Sequence, residues 1–164
     1  MVNVYIGIGS NIEPEKNFKT VYQLLKEAYP AIKFSRKFQS EAVGFTGDDF
    51  HNSVATFTVD AVNSAAEQEL NRTLIALKAI ENQMGRIRGD KKFAARVIDI
   101  DILLFGDLIC EKPIQLPRGE ILENAYVLCP LSELAPNLVH PVENKSYSEL
   151  WRAFDKKQQK LLLL

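Results

Sequence analysis

Two aspartates, Asp99 and Asp101, stand two residues apart inside the aliphatic run "ARVIDIDILLFGD", residues 95–107. Side chains of a strand alternate between its faces, so both carboxylates leave the same side of a sheet. Like charges that close repel unless a cation lies between them. Carboxylate oxygens are hard ligands, and Mg²⁺ binds through one or two of them together with substrate phosphates. The plainer alternative is a solvent-facing pair on an edge strand. Against it, Ile98, Ile100, Ile102 and Leu104 form one apolar face, and Val97, Leu103 and Phe105 make the other apolar at both ends. That pattern predicts a central strand carrying a divalent-cation site.

Upstream, Arg86, Arg88, Lys91, Lys92 and Arg96 form a cationic cluster opposed only by Asp90. Such a run is commonly a solvated surface. Beside a cation-binding pair it also supplies what a polyphosphate needs, because guanidinium forks match phosphate oxygens. Gly85 and Gly89 permit the loop to close over a nucleotide. Glu81 lies in the middle of the helical stripe Leu70, Leu74, Leu77 and Met84. A carboxylate on a core face needs a partner. It is a structural bridge to a neighbour such as Arg86 or Arg96, a side chain snorkelling out at the helix end, or part of the site; the sequence leaves these open.

Other features point less sharply. Gly7 and Gly9 follow a strand, but Ile12 breaks the dinucleotide fingerprint, and no phosphate-loop motif is present, so a tight turn near Asn11 is the expectation. His51 and His140 stand apart from any triad or zinc spacing and read as ordinary hydrogen-bonded histidines. Phe50 and Tyr126 are core aromatics by residue type.

The elements that must position these residues follow from periodicity. "NVYIGIGSN" is a strand, and residues 14–29 an amphipathic helix with Val21, Leu24, Leu25 and Ala28 inward. "IKFSRKFQSEAVGF" is a strand running into a loop, and "FHNSVATFTVDA" an alternating strand preceded by the acidic "TGDD". Ser64 and Glu67 form a capping box opening a helix to about Met84, followed by the basic loop "GRIRGDKKFAAR" and the aspartate strand. A short strand "LICEKPIQLP", a helical turn from Ile121 and a last helix from Ser146 complete the pattern, with "KLLLL" read as a frayed tail or a small sticky end. The order βαββαβ is that of an α+β ferredoxin-like sandwich, an antiparallel sheet with helices on one face, decorated by the last third of the chain.

At 164 residues, 46% hydrophobic and 25% charged, the chain reads as a single globular domain spanning 1–164. A net charge of −1 gives no global attraction to nucleic acid or anionic membrane. Cys110 and Cys129 make neither a disulfide framework nor a metal spacing, which suits reduced thiols. No basic leader and no apolar run of spanning length is present, so a monomeric cytoplasmic protein acting on small molecules is expected.

Together "YIGIGSN", "FHNSVATF", "IENQMGRIR", "ARVIDIDILLFGD" and "YVLCPLSELAPNLVHP" resemble the 6-hydroxymethyl-7,8-dihydropterin pyrophosphokinases over nearly the whole chain. The resemblance implies transfer of pyrophosphate from ATP to the pterin hydroxymethyl group, with release of AMP and two Mg²⁺ ions. By position it implies Asp99 and Asp101 as metal ligands, with Arg86, Arg96 and Glu81 joining them in catalysis. It implies ATP contacts from Arg86, Arg88, Lys92, Arg96, Ile102 and Arg118. Ser40, Val43, Phe50, Asn52 and Tyr126 would line the pterin pocket, Asn52 reading the ring edge and the two aromatics sandwiching it. The chain departs from the family at Arg118 after Pro117, where histidine is usual, at Asn124 in place of an arginine, and at Ala94-Ala95. Two other readings compete: a Mg²⁺-dependent transferase with a different acceptor, and a non-catalytic nucleotide- or pterin-binding domain.

Overall fold

The computed structural model describes residues 1–40, 50–61, 66–88, 97–157 and 159–164, the side chains at 86–88 excepted. The elements in chain order are β1 (Val2–Ser10), α1 (Pro14–Ala28), β2 (Lys33–Phe34), β3 (Phe38–Ser40), β4 (Phe50–Val59), α2 (Ala66–Arg88), β5 (Asp99–Phe105), α3 (Glu120–Glu123), α4 (Ala125–Leu134), α5 (Tyr147–Ala153) and β6 (Leu161–Leu163). One antiparallel sheet runs in the order β5-β1-β4-β3-β6, with β2 also paired to β4. The βαββαβ core is therefore present, with β2 and β3 dividing its second strand.

Alternation in β1 decides which layer forms on which face. Val4, Ile6 and Ile8 are buried with Phe18, Val21 and Leu25 of α1 and with Leu70, Leu77 and Met84 of α2. The residues between them, Tyr5, Gly7 and Gly9, face the other side. There Val54, Leu103 and Leu104 pack against Val127, Leu128 and Leu131 of α4 and Tyr147 of α5. The helices of the βαββαβ unit, α1 and α2, thus share one face as expected. The last third of the chain forms a third layer, because a second apolar sheet face must also be buried.

Strand β5 corrects the sequence reading twice. Among the described residues it is an edge strand, not a central one. Its run is apolar on both sides because helices cover both faces, a condition that flanking strands do not have to supply. A register shift against β1 also makes Leu103 an extra residue, since Ile6 pairs Ile102 while Tyr5 pairs Leu104. Such a bulge swaps the faces beyond it. Leu104 therefore joins the α4–α5 side and Phe105 the α1–α2 side. The exposed row of strand groups is closed by side chains, as edge strands require. Glu81 Oε2 accepts from the Ile100 amide, and Arg118 Nε donates to the Ile102 carbonyl.

Smaller corrections follow the same physics. Ala28 is exposed. Helix α2 continues to Arg88, so the first four residues of the basic segment are helical. "LICEKPIQLP" is a loop closed by one bridge between Cys110 and Leu116. The leucine run is neither frayed nor free: Leu161–Leu163 pairs with β3. Ser64, the capping residue expected for α2, and "TGDD" lie outside the described residues.

His140 is buried, and its Nδ1 accepts from the amides of Val142 and Glu143 at 3.1 and 3.0 Å. Only the neutral ring offers that lone pair. Burial holds its pKa below the usual 6.5, with Glu143 opposing weakly. The unfolded chain therefore takes up the proton first as the pH falls. The contribution is intact above about 6.5 and is lost progressively below it. Thermal melts between pH 7.5 and 5 should show a falling melting temperature, and His140→Asn, which keeps an acceptor near Nδ1, should flatten the decline.

Candidate active site

The floor of the site is built from two rungs of the sheet. Asp99 pairs Gly9 and Gly9 pairs Asn52; Asp101 pairs Gly7 and Gly7 pairs Val54. Directly opposed residues share a face, so each rung runs from a carboxylate across a bare glycine to a β4 side chain. The glycines belong to β1, not to the turn expected after it. A cleft of about 380 Å³ opens above them. Ser40 and Phe50 line it on the β3–β4 side, and Glu120, Tyr126 and Val127 face the sheet from α3 and α4. The space depends on the missing side chains: a Cβ at Gly9 would sit 3.0 Å from Asn52 Oδ1, and one at Gly7 would sit 3.5 Å from Leu103.

Hydrogen bonds orient the lining groups. Asn52 Nδ2 donates to Ser40 Oγ at 2.9 Å, which holds the amide against β3. Asn124 Nδ2 donates to the Tyr126 hydroxyl at 2.9 Å and so steadies that ring. Burial raises the Tyr126 pKa, and the nearby Glu120 carboxylate raises it further. Glu120 itself is pushed up by burial first and then by Asp101, with Arg118 opposing. Asp99, Asp101 and Glu120 place three carboxylates on one cleft. Among the described residues no group of three or more His, Cys, Asp or Glu is arranged to hold a metal ion. The paired aspartates offer hard oxygen donors, the ligand type that Mg²⁺ takes together with water and phosphate.

Sequence reasoning placed Asp99, Asp101, Ser40, Phe50, Asn52 and Tyr126 in the site, and the fold brings all six to this cleft. Arg118 lies instead on the outer edge of β5. Ile102 is packed in the core, where its carbonyl meets Arg118. Arg86 and Arg88 fall on the last turn of α2, but their side chains lie outside the described residues, as do Val43, Lys92 and Arg96. Glu120, Asn124 and the glycine floor were not anticipated as site residues. "GIG" shares the two-residue period of "DID", a signal that could have found the glycines. Nothing local marks Glu120, which reaches the cleft only through the turn back from β5.

Glu81 stands behind the cleft. Its side chain is 11% exposed, one oxygen accepts from the Ile100 amide at 3.1 Å, and Lys78 Nζ lies 3.8 Å from the other. It grips the backbone between the two aspartates, so it supports their geometry from α2. Removing an acceptor from a largely buried amide typically costs about 1–3 kcal/mol. Glu81→Ala should lower the unfolding free energy by that order in urea titrations, with faster hydrogen exchange at the Ile100 amide.

Comparison with known proteins supplies the remaining observation. The model of a family described as 7,8-dihydro-6-hydroxymethylpterin-pyrophosphokinase (HPPK) matches residues 5–136. A 2-amino-4-hydroxy-6-hydroxymethyldihydropteridine pyrophosphokinase of Aquifex aeolicus is 32% identical over 151 residues, covering 91% of this chain and 90% of that protein. One of the same description from Pseudomonas aeruginosa is 33% identical over 144 residues, covering 84% and 83%. Among solved structures, wild-type Plasmodium falciparum HPPK-DHPS with pterin and p-hydroxybenzoate superposes with a TM-score of 0.65 at 14% identity, over 92% of this chain and 42% of that one. The chain thus spans less than half the length of that solved protein, and the likeness concerns the fold.

Proposed function

Because the chain belongs to the 7,8-dihydro-6-hydroxymethylpterin-pyrophosphokinase family, we propose that its cleft transfers pyrophosphate from ATP to the hydroxymethyl group of 6-hydroxymethyl-7,8-dihydropterin, a step of folate biosynthesis. The observation that carries this reading is the rung Asp99–Gly9–Asn52. Two strand spacings separate its ends by about 10 Å, room for a flat bicyclic ring lying over the bare glycine between them. At one end stand hydrogen-bonding groups for the ring edge, and at the other the carboxylates that hold the phosphate-bound cation.

In this reading the Asn52 amide, held by Ser40, pairs with the donors and acceptors of the pterin edge. Phe50 and Tyr126 enclose the ring faces, and Asn124 keeps Tyr126 from turning. Asp99 and Asp101 would hold two Mg²⁺ ions, which when bound would supply positive charge to offset the charge developing on the phosphates. The hydroxymethyl oxygen attacks the β-phosphorus, the bond from that phosphorus to the α-phosphate oxygen breaks, AMP leaves, and the alcohol proton is released. Positioning and electrostatics supply most of such a reaction, so no protein nucleophile is required. Arg86, Arg88, Lys92 and Arg96 would neutralise the phosphates. Arg118, tethered through Nε to β5, would reach them only with its terminal nitrogens. Any part played by Ile102 runs through its backbone.

The direct test is incubation with Mg²⁺-ATP and the reduced pterin alcohol, followed by detection of AMP and the pterin diphosphate. Asp99→Ala or Asp101→Ala should lower AMP release by at least about a hundredfold, the scale of a lost electrostatic stabiliser. Circular dichroism and melting temperature should stay close to the parent. Turnover retained in both variants would remove the basis of the assignment.

Gly9→Ala tests the other end of the slot. Its methyl group must displace the Asn52 amide. Pterin binding, read by the ligand's own fluorescence, should weaken by about tenfold or more, the scale of a lost hydrogen bond plus overpacking. Binding of a non-hydrolysable ATP analogue should change little.

A further inference from the structure

The two walls of the acceptor slot are tied together by residues that line neither of them. Strand β3, which carries Ser40, is three residues long. A strand so short, paired on one side only, is marginal by itself. On its outer side β6 pairs it in the register Phe38–Leu163, Gln39–Leu162 and Ser40–Leu161. The Leu164 amide adds a bond to the Lys37 carbonyl at 3.0 Å. Bonded and non-bonded pairs alternate in an antiparallel ladder, which makes Gln39–Leu162 the next bonded pair.

The opposite wall is held by the residue two positions before that strand. Gln159 Oε1 accepts from the Ala125 amide at 2.7 Å, and Gln159 Nε2 donates to the Glu123 carbonyl at 2.8 Å. One side-chain amide therefore satisfies the end of α3 and the start of α4, the junction on which Tyr126 sits. An asparagine at a helix N-cap ordinarily turns its oxygen to the amides of the first turn. Asn124 occupies that position without capping and binds the Tyr126 hydroxyl instead. Gln159 supplies the first amide of α4 with its acceptor.

We propose that residues 159–164 are a brace that sets the width of the acceptor slot, with Gln159 acting through Asn124 and Tyr126 and β6 acting through Ser40 and Asn52. These are positioning residues and do not touch the reacting atoms. The sheet order puts β5 three strands from β3, about 14 Å away. Loosening the brace should therefore disturb recognition of the acceptor and spare the aspartate end. The inference rests on the proposed function, since the acceptor is the pterin alcohol.

Two substitutions separate the arms of the brace. Gln159→Ala deletes both bonds at the α3–α4 junction. Leu162→Pro removes a ladder amide at a side chain that is 61% exposed, so little packing is lost. Each should raise KM for the pterin by about three- to tenfold, the size of one lost hydrogen bond, with kcat and KM for ATP within about twofold of the parent. Leu162→Thr, which keeps the amide, should restore the parent value. An unchanged pterin KM in either variant, or an equal rise in KM for ATP, overturns the brace. Should Leu162→Pro fail to fold, Gln159→Ala decides on the same terms. A parent protein that releases no AMP is a failure of the proposed activity, and pterin affinity measured by fluorescence in the same variants still reports on the brace.

Discussion

Two carboxylates on one face of one strand form an arrangement that a folded chain does not adopt without compensation, and the rest of the structure is organised around holding it. Asp99 and Asp101 sit on the sheet edge, opposite residues that contribute no side chain. A bulky neighbour on β1 would fill the cleft above the sheet. Gly7 and Gly9 leave it open. The acidic pair and the glycine pair are thus adjacent in the sheet, a carboxylate margin beside a floor without side chains.

Holding such a strand at an edge requires that its outward backbone groups find partners. The chain meets this demand with residues drawn from both sides in sequence. Glu81 from α2 takes the Ile100 amide, and Arg118 takes the Ile102 carbonyl through Nε while its own amide donates to Leu103. A carboxylate on the core face of α2 and the arginine after Pro117 thus acquire the same explanation. Each substitutes for a missing neighbouring strand. Burial of both strand faces does the rest, since Ile100 and Ile102 pack toward α1 and α2 while Leu103 and Leu104 pack toward α4 and α5.

The third layer turns a sandwich into a site. Without α3 and α4 the face bearing the aspartates would be an open sheet surface. With them it becomes a cleft roofed by Tyr126 and Glu120. Tyr147 of α5 packs in the apolar cluster of the same layer, its hydroxyl buried and unpartnered among the described residues. Glu120 adds a third negative charge, and its raised pKa follows from being buried near Asp101.

Short-range pattern was enough to read α1, α2 and α5, the alternating strands and the spacing of Asp99 with Asp101, because those signals depend only on the periods of helix and strand; α4 was read as no more than a helical turn. Asn52, Phe50 and Tyr126 were placed in the site by the resemblance to the pyrophosphokinases, whereas residue type alone read the two aromatics as core. Lateral position was beyond short-range pattern. An apolar run looks the same whether strands flank it or helices cover it, which is why β5 read as central and proved to be an edge. The bulge at Leu103 was equally hidden, since register belongs to the pair and not to one strand. Tertiary structure alone decided that Gly9 lies between Asp99 and Asn52, that Glu81 meets the Ile100 amide, and that Gln159 reaches the start of α4. Each of these contacts joins segments far apart in the chain, and their energies depend on distances that only the packed layers fix.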